Sequence, residues 1–268
     1  MYKVSKEVRS FQGEINISGS KSESNRLLVI RAYTSFFKII NISDSDDTNT
    51  MISALKSNDK EINIGHAGTA MRFLTSYFSS ILNSSIILTG SARMKNRPIS
   101  ILVDALNNLG ADIEYIDNIG FPPIRLRGKL ISNDTVSLPA NVSSQYISSL
   151  MMLGVSLKEG LKIKISTKIT SLPYVQMTKK IIERVGGKVV IQSDNIIIKP
   201  FQSDNISDQI VESDWSSASY FFSLVALSDY SEITLSTFLR VCKNLTTFSA
   251  LEQCCLNLNG KVSRPCIC

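Results

Sequence analysis

The chain is expected to fold as an α/β (α+β) protein built from a repeated supersecondary unit, and three observations predict it. A helical apolar period formed by Ile101, Leu102, Ala105, Leu106 and Leu109 stops at Gly110 and leads into the short strand 113–116. The same pattern returns in 179–185, where Ile181, Ile182 and Val185 precede Gly186-Gly187 and the strand 189–191; a weaker third copy is 251–258 with Gly260 and Val262. Third, helical and extended segments alternate with short connections, further strands falling at 14–17, 85–88, 124–126, 161–165 and 196–199.

Composition narrows the class. The 268 residues are 43% hydrophobic and 19% charged, the balance of a soluble globular chain rather than a disordered one. No apolar run approaches bilayer length. Met1 to Phe11 carries Lys3, Lys6, Glu7 and Arg9 with no apolar core behind them, so a cytoplasmic protein is expected. A net charge of +6 fits an electropositive site for anionic ligands. The basic residues form no runs and are not interleaved with aromatics, which argues against nucleic acid. All five cysteines, Cys242, Cys254, Cys255, Cys266 and Cys268, lie near the end, without zinc spacing and far from His66. No metal site is therefore expected; the clustering marks a shift in composition near residue 240. The polar stretch from Gln202 to Gln209 suggests a domain boundary near Val211.

Five helix starts carry small hydroxylated or basic residues ahead of the apolar face. A helix N-terminus presents unpaired N–H groups and the positive end of the dipole, which suits phosphate or carboxylate. In the first, 19–26, Lys21 supplies a mobile charge, Arg26 a planar fork, and Ser22 and Asn25 capping groups. In the second, 64–75, Gly68 permits close approach of a ligand to the backbone and Thr69 opens the helix, with His66 read as a turn residue. The third, 93–99, packs Arg93, Lys95 and Arg97 together, a repulsive arrangement that an anion would relieve. Pro98 suits the first turn of the next helix, and Lys95 is read as a solvated loop residue. The fourth, Ser143-Ser144-Gln145, and the fifth, Ser171-Leu172-Pro173-Tyr174, offer uncharged donors to a phosphate and to sugar-like hydroxyls. Each alone is no more than a capping signal.

Taken together the segments GSKSESNRLL, NIGHAGTAMRFLT, RMKNRPI, SSQYISSLMM, SLPYVQMT and VESDWSSASYFF resemble, in order and over roughly residues 13 to 227, the 5-enolpyruvylshikimate-3-phosphate synthase family. The resemblance implies a transferase moving the enolpyruvyl group of phosphoenolpyruvate to the 5-hydroxyl of shikimate 3-phosphate, releasing phosphate with no cofactor, toward chorismate and the aromatic amino acids. It implies two small-molecule substrates, no nucleic acid, no membrane, and a monomer for the full-length family. By resemblance, Lys21 is catalytic and touches both substrates. Shikimate 3-phosphate would be held by Lys21, Ser22, Arg26, Ser143, Ser144, Gln145, Ser171 and Tyr174. Phosphoenolpyruvate would be held by Lys21, Gly68, Arg97 and Gln145, with Arg97 also an expected contact of glyphosate.

The fold implied is an inside-out α/β barrel of βαβαββ units, with residues 14–211 a complete domain of three units and 1–13 plus 212–268 part of a second. The chain departs from the family pattern at His66, where Asn is usual, at Ser213, where Gly is usual, and at Leu172, where Lys is common. It shows no counterpart of the second domain's proton-transferring Asp, Lys/Glu pair, two arginines and late lysine. The expectation is weak shikimate 3-phosphate binding and little turnover. Two alternatives remain beside it: a non-catalytic phosphate-sugar binding module with a Cys-rich tail, and the sister transferase that acts on a UDP-sugar, disfavoured by the SSQ, RMKNRPI and SLPY segments.

Overall fold

The computed structural model describes residues 10–34, 37–139, 142–165, 171–202, 206–228, 230–235 and 261–263. They fall into two compact units. One holds residues up to 20, 41–43 and those from 210 on; the other holds 21–40 and 44–209. The sequence places these divisions at 13/14 and 211/212 instead.

The larger unit repeats one construction twice. In the first copy, β3 (Glu61–Asn63), α3 (Gly68–Ser80) and β4 (Ser85–Thr89) are followed by the short α4 (Ala92–Lys95), α5 (Ser100–Asn108), β5 (Asp112–Tyr115) and β6 (Ile124–Arg127). In the second, β7 (Thr135–Leu138), α6 (Ser144–Gly154), β8 (Leu161–Ile165), α7 (Leu172–Arg184), β9 (Lys188–Ile191) and β10 (Asn195–Lys199) follow in the same order. The sheets run β3-β4-β6-β5 and β7-β8-β10-β9. In each, the first pair is parallel and the last strand in sequence pairs antiparallel with both of its neighbours.

The helix stops read from sequence are structurally the same motif. Gly110 at φ +103° closes α5, its N–H donating to Asn107 O and that of Ala111 to Leu106 O. Gly186 at φ +100° closes α7 with the matching pair of bonds, to Glu183 O from Gly186 and to Ile182 O from Gly187. Both are Schellman caps, and glycine tolerates the left-handed φ without Cβ strain. The third copy, at 251–260, lies outside the described residues; Val262 belongs to β13 (Lys261–Ser263).

The inner helices of this unit are α1 (Lys21–Tyr33), α3 and α6. Residues 23–30 of α1 are all buried, as are Tyr146 to Gly154 of α6, so neither helix has a solvent face. They run in one direction. Near their starts, the Arg26 guanidinium lies 5.4 Å from the centre of the Phe73 ring and donates to Ser148 Oγ at 3.2 Å. Near their ends, Tyr33, Ser80 and Ser156 line one groove. Helices α2 (Asp46–Lys56), α5 and α7 bury a single stripe each, Val175, Thr178, Ile181 and Ile182 in the case of α7. The ribbon of β2 (Ile39–Ile40) with β11 (Gln209–Ile210) is anchored by the Gln209 N–H donating to Lys38 O.

In the smaller unit, β1 (Ser10–Ile15) pairs parallel with β12 (Tyr230–Leu235), which pairs antiparallel with β13. The sequence puts this first strand at 14–17; the ladder with β12 instead draws it back to Ser10, while Ile17 turns into the core. Helix α8 (Trp215–Leu227) buries Ala218, Phe222 and Val225 against Ile17, Ile233 and Leu235. Asp214 caps it by accepting the Ser216 N–H at 2.7 Å. The opposite face leaves Tyr220, Leu224 and Leu227 exposed at 73%, 52% and 72%, an apolar stripe at helical spacing.

Candidate functional site

Two clusters form at the N-terminal ends of the inner helices of the larger unit. The first centres on Arg26, only 3% exposed. Its Nε donates to Thr178 Oγ1 at 2.7 Å, Nη1 to the Ser22 carbonyl at 2.8 Å and Nη2 to Ser148 Oγ. Burial lowers its pKa to about 10, opposed by the nearby Tyr174. Burying a guanidinium costs several kcal/mol unless donors and charge are matched. The hydroxyls satisfy donors but cancel no charge, and among the described residues Arg26 has no ion pair. A positive potential is thus built in beneath Ser22, Tyr174 and the start of α6.

The second cluster surrounds Gly68, the first residue of α3. A Cβ placed there would meet Arg97 Nη1 at 2.3 Å and Arg72 Nη1 at 3.2 Å, so two guanidiniums approach this one backbone position. Arg97 is exposed. Arg72 is 5% exposed, its Nη1 donating to the Gly68 carbonyl at 3.0 Å and its Nη2 to the Pro98 carbonyl at 3.5 Å. Burial, and then the charge of Arg97, hold the Arg72 pKa below its ordinary value. Neither arginine has an ion pair among the described residues, nor do Arg93 and Lys95.

Helix α6 ties the clusters together. Ser143 caps it, accepting the Gln145 N–H at 3.3 Å, with Ser144 and Gln145 in the first turn. Tyr146 then donates to the Pro98 carbonyl at 2.7 Å, beside Arg97, and Ser149 donates to Arg72 O at 2.8 Å. One turn from Ser144, Ser148 holds Arg26.

Lys21, at the start of α1, lies 3.7 Å from Asp47 in the first turn of α2, a partly exposed pair. Asp47 is itself positioned through its neighbour: Thr48 donates to Asn25 Oδ1 at 2.9 Å and Ser45 Oγ donates to Thr48 Oγ1 at 3.1 Å. Ser171 begins α7 without a side-chain capping bond, unlike Ser143, and Tyr174 is 49% exposed.

The structure corrects some local expectations. Helix α3 opens at Gly68 rather than Thr69, with Ala67 as an N-cap that supplies no side-chain bond. Arg93 and Lys95 lie on α4, capped by Ser91 through the Met94 N–H at 3.3 Å, so Lys95 is a helical residue rather than a loop one. Pro98 precedes α5, which begins at Ser100, and is not in its first turn. His66 does sit in a turn, but with a partner: Ser91 Oγ lies 2.8 Å from its Nδ1. The residues that sequence reasoning passed over, Arg72, Tyr146, Ser148, Thr178 and Asp47, support the expected ones. Arg72 and Thr178 stand four residues after Gly68 and Tyr174, on the same helical face, which was the available signal.

No three His, Cys, Asp or Glu side chains gather to hold a metal among the described residues. None of the described helices is long and apolar enough to cross a membrane. What the arrangement can do is bind anions: backbone N–H groups at three parallel helix starts, hydroxyls and an amide, and arginines without counter-ions among the described residues.

Comparison with known proteins gives this arrangement a family. The model of EPSP synthase (3-phosphoshikimate 1-carboxyvinyltransferase) matches residues 55–262. The 3-phosphoshikimate 1-carboxyvinyltransferase of Bacteroides fragilis strain YCH46 is 44% identical over 227 residues, 84% of this chain and 55% of that protein. That of Haemophilus influenzae strain PittEE is 37% identical over 262 residues, 85% and 60% of the two chains. The fold matches an EPSP synthase from Acinetobacter baumannii with a TM-score of 0.75 at 18% identity, covering 96% of this chain and 65% of that one. The chain spans little more than half the length of the B. fragilis relative. It belongs to the EPSP synthase family.

Proposed function

We propose that this chain binds shikimate 3-phosphate and phosphoenolpyruvate and carries the shikimate-phosphate side of enolpyruvyl transfer to the 5-hydroxyl, a reaction without a cofactor. The observation that carries the reading is the row of helix N-termini with Arg26, Arg72 and Arg97 unpaired among the described residues. In this reading Ser143, Ser144 and Ser171 take the 3-phosphate. Ser22, Gln145 and Tyr174 meet the ring hydroxyls, and the Arg26 charge favours the substrate carboxylate. Gly68, Arg97 and Gln145 receive phosphoenolpyruvate. Lys21, released from Asp47, lies against both substrates and is the catalytic residue.

As the 5-hydroxyl adds to C2 of phosphoenolpyruvate, C3 takes a proton, and loss of phosphate and of a proton from C3 restores the double bond. Both substrates are polyanions, so cationic groups placed in advance lower the cost of bringing them together. The proposal includes a larger domain of three βαβαββ units, a cytoplasmic setting and, for full-length members of the family, a monomer. Titration of the chain with shikimate 3-phosphate, followed by phosphate release on adding phosphoenolpyruvate, tests it. Saturable binding with turnover far below that of the full-length relatives is expected. No binding at millimolar shikimate 3-phosphate would sink the reading, and turnover equal to theirs would refute the assignment of half the machinery to groups absent from this unit.

A further inference from the structure

We propose that Arg72 is a positioning residue that sets the geometry of the phosphoenolpyruvate end of the site by clamping the start of α3 to the segment bearing Arg97. The inference rests on the functional reading above for its consequence, but its geometry stands alone. Arg72 is buried, at 5% exposure, and both of its terminal nitrogens are engaged by main-chain carbonyls. Its two terminal nitrogens reach different chain segments, the Gly68 carbonyl on one side and the Pro98 carbonyl on the other, 30 residues apart in sequence. Met94 Sδ approaches the first of these nitrogens at 3.8 Å. The Pro98 carbonyl also receives the Tyr146 hydroxyl, and the backbone carbonyl of Arg72 receives the Ser149 hydroxyl, whose oxygen lies 2.7 Å from that of Ser76. The clamp is therefore held from α6 on both sides.

Arg97 is fixed by what precedes and follows it. Its N–H donates to Met94 O at 3.0 Å, and the next carbonyl, that of Pro98, is the one clamped. With its side chain exposed and unpaired, nothing else among its described contacts would keep the guanidinium against Gly68. A lysine at 72 would retain the charge but could not bridge two carbonyls in a planar fork.

The test has a ligand-free and a ligand-bound arm. In the ligand-free protein, the Arg97 Nε–H resonance, assigned through Arg97→Lys, is compared between wild type and Arg72→Lys. A changed or broadened resonance is expected, and an unchanged one overturns the inference. Tyr146→Phe, which removes one donor and preserves bulk, should move the same resonance less. If Arg72→Lys proves too unstable to study, Tyr146→Phe decides the question by the same criterion.

In the bound arm, phosphoenolpyruvate is titrated in the presence of saturating shikimate 3-phosphate and followed at the Gly68 amide. Arg72→Lys is expected to weaken it about tenfold while shikimate 3-phosphate affinity changes less than about twofold. Equal loss of both affinities would mean general destabilisation and overturn the positioning role. A wild-type chain that binds neither substrate would refute the functional proposal, while the ligand-free arm still decides the clamp.

Discussion

Replacing Gly68 by alanine would place a methyl group 2.3 Å from Arg97 Nη1 and 3.0 Å from its Cζ. Ordinary contact begins near 3.4 Å, so the guanidinium must retreat by about 1 Å. The backbone does not object: Gly68 is absent from the positive-φ positions, and alanine is the better helix former by up to about 1 kcal/mol. Nearby Arg72 Nη1, at 3.2 Å, belongs to a guanidinium held by two carbonyls that cannot move aside, whereas Arg97 is exposed and can. Stability and binding are therefore predicted to part. The thermal midpoint should hold or rise slightly, while phosphoenolpyruvate affinity falls by roughly 10- to 100-fold, the usual consequence of a displacement of that size at a binding group. Circular dichroism melting measures the first, and titration followed at the backbone amide of position 68 in both proteins measures the second. Undiminished phosphoenolpyruvate affinity with Arg97 unmoved would refute the claim that the lack of a Cβ at 68 makes room for this guanidinium.

Glu23, 9% exposed, meets Arg184 at 2.5 Å and links the first turn of α1 to the last turn of α7. Glu23→Ala is expected to cost about 1–2 kcal/mol in urea unfolding, because the half-exposed Arg184 regains water. Burial holds the Tyr33 phenol well above its ordinary pKa of 10, so above pH 10 the unfolded chain loses this proton while the folded one keeps it. The Tyr33 contribution to stability should thus fall with rising pH from 10 upward by as much as about 1.4 kcal/mol per unit, and Tyr33→Phe should remove that contribution, making the loss between pH values of about 9 and 11 smaller than in the wild type. Polar replacement of Tyr220, Leu224 and Leu227 together should reduce concentration-dependent association seen in sedimentation, with the Ala218–Phe222–Val225 face left to hold the unit together.

The repeated fold was legible because its signals are local. The apolar runs preceding Gly110 and Gly186, and the caps they close, involve residues within a turn or two of each other. The helix starts at Lys21, Gly68, Ser144 and Leu172 were legible for the same reason. What the sequence concealed is pairing across distance: Arg26 with Thr178 and Ser148, Arg72 with Pro98, His66 with Ser91. None has a fixed spacing, since each depends on how the helices pack. Helix α1 illustrates the limit. Its start carries Glu23, Ser24, Asn25 and Arg26, where the sequence offers a capping group and a fork for an anion, and all four are buried. The short α4 escaped notice because four residues carry no periodicity. The strand near residue 14 was misplaced because its partner, β12, lies more than two hundred positions away and alone defines its extent.

The bonds of Arg26 span 152 residues to Thr178 and 122 to Ser148. During synthesis the nascent chain therefore carries this cation through most of the larger unit's length before any of those hydroxyls exists. Until α7 emerges, burial of Arg26 and of α1 with it is disfavoured, because a buried guanidinium without acceptors for its N–H groups is costly. Closure of the inner helix layer should therefore become favourable only once the last of these partners has arrived. Because the same closure brings the helix starts together, the site and the core mature in one step, and a chain interrupted before residue 178 should display neither.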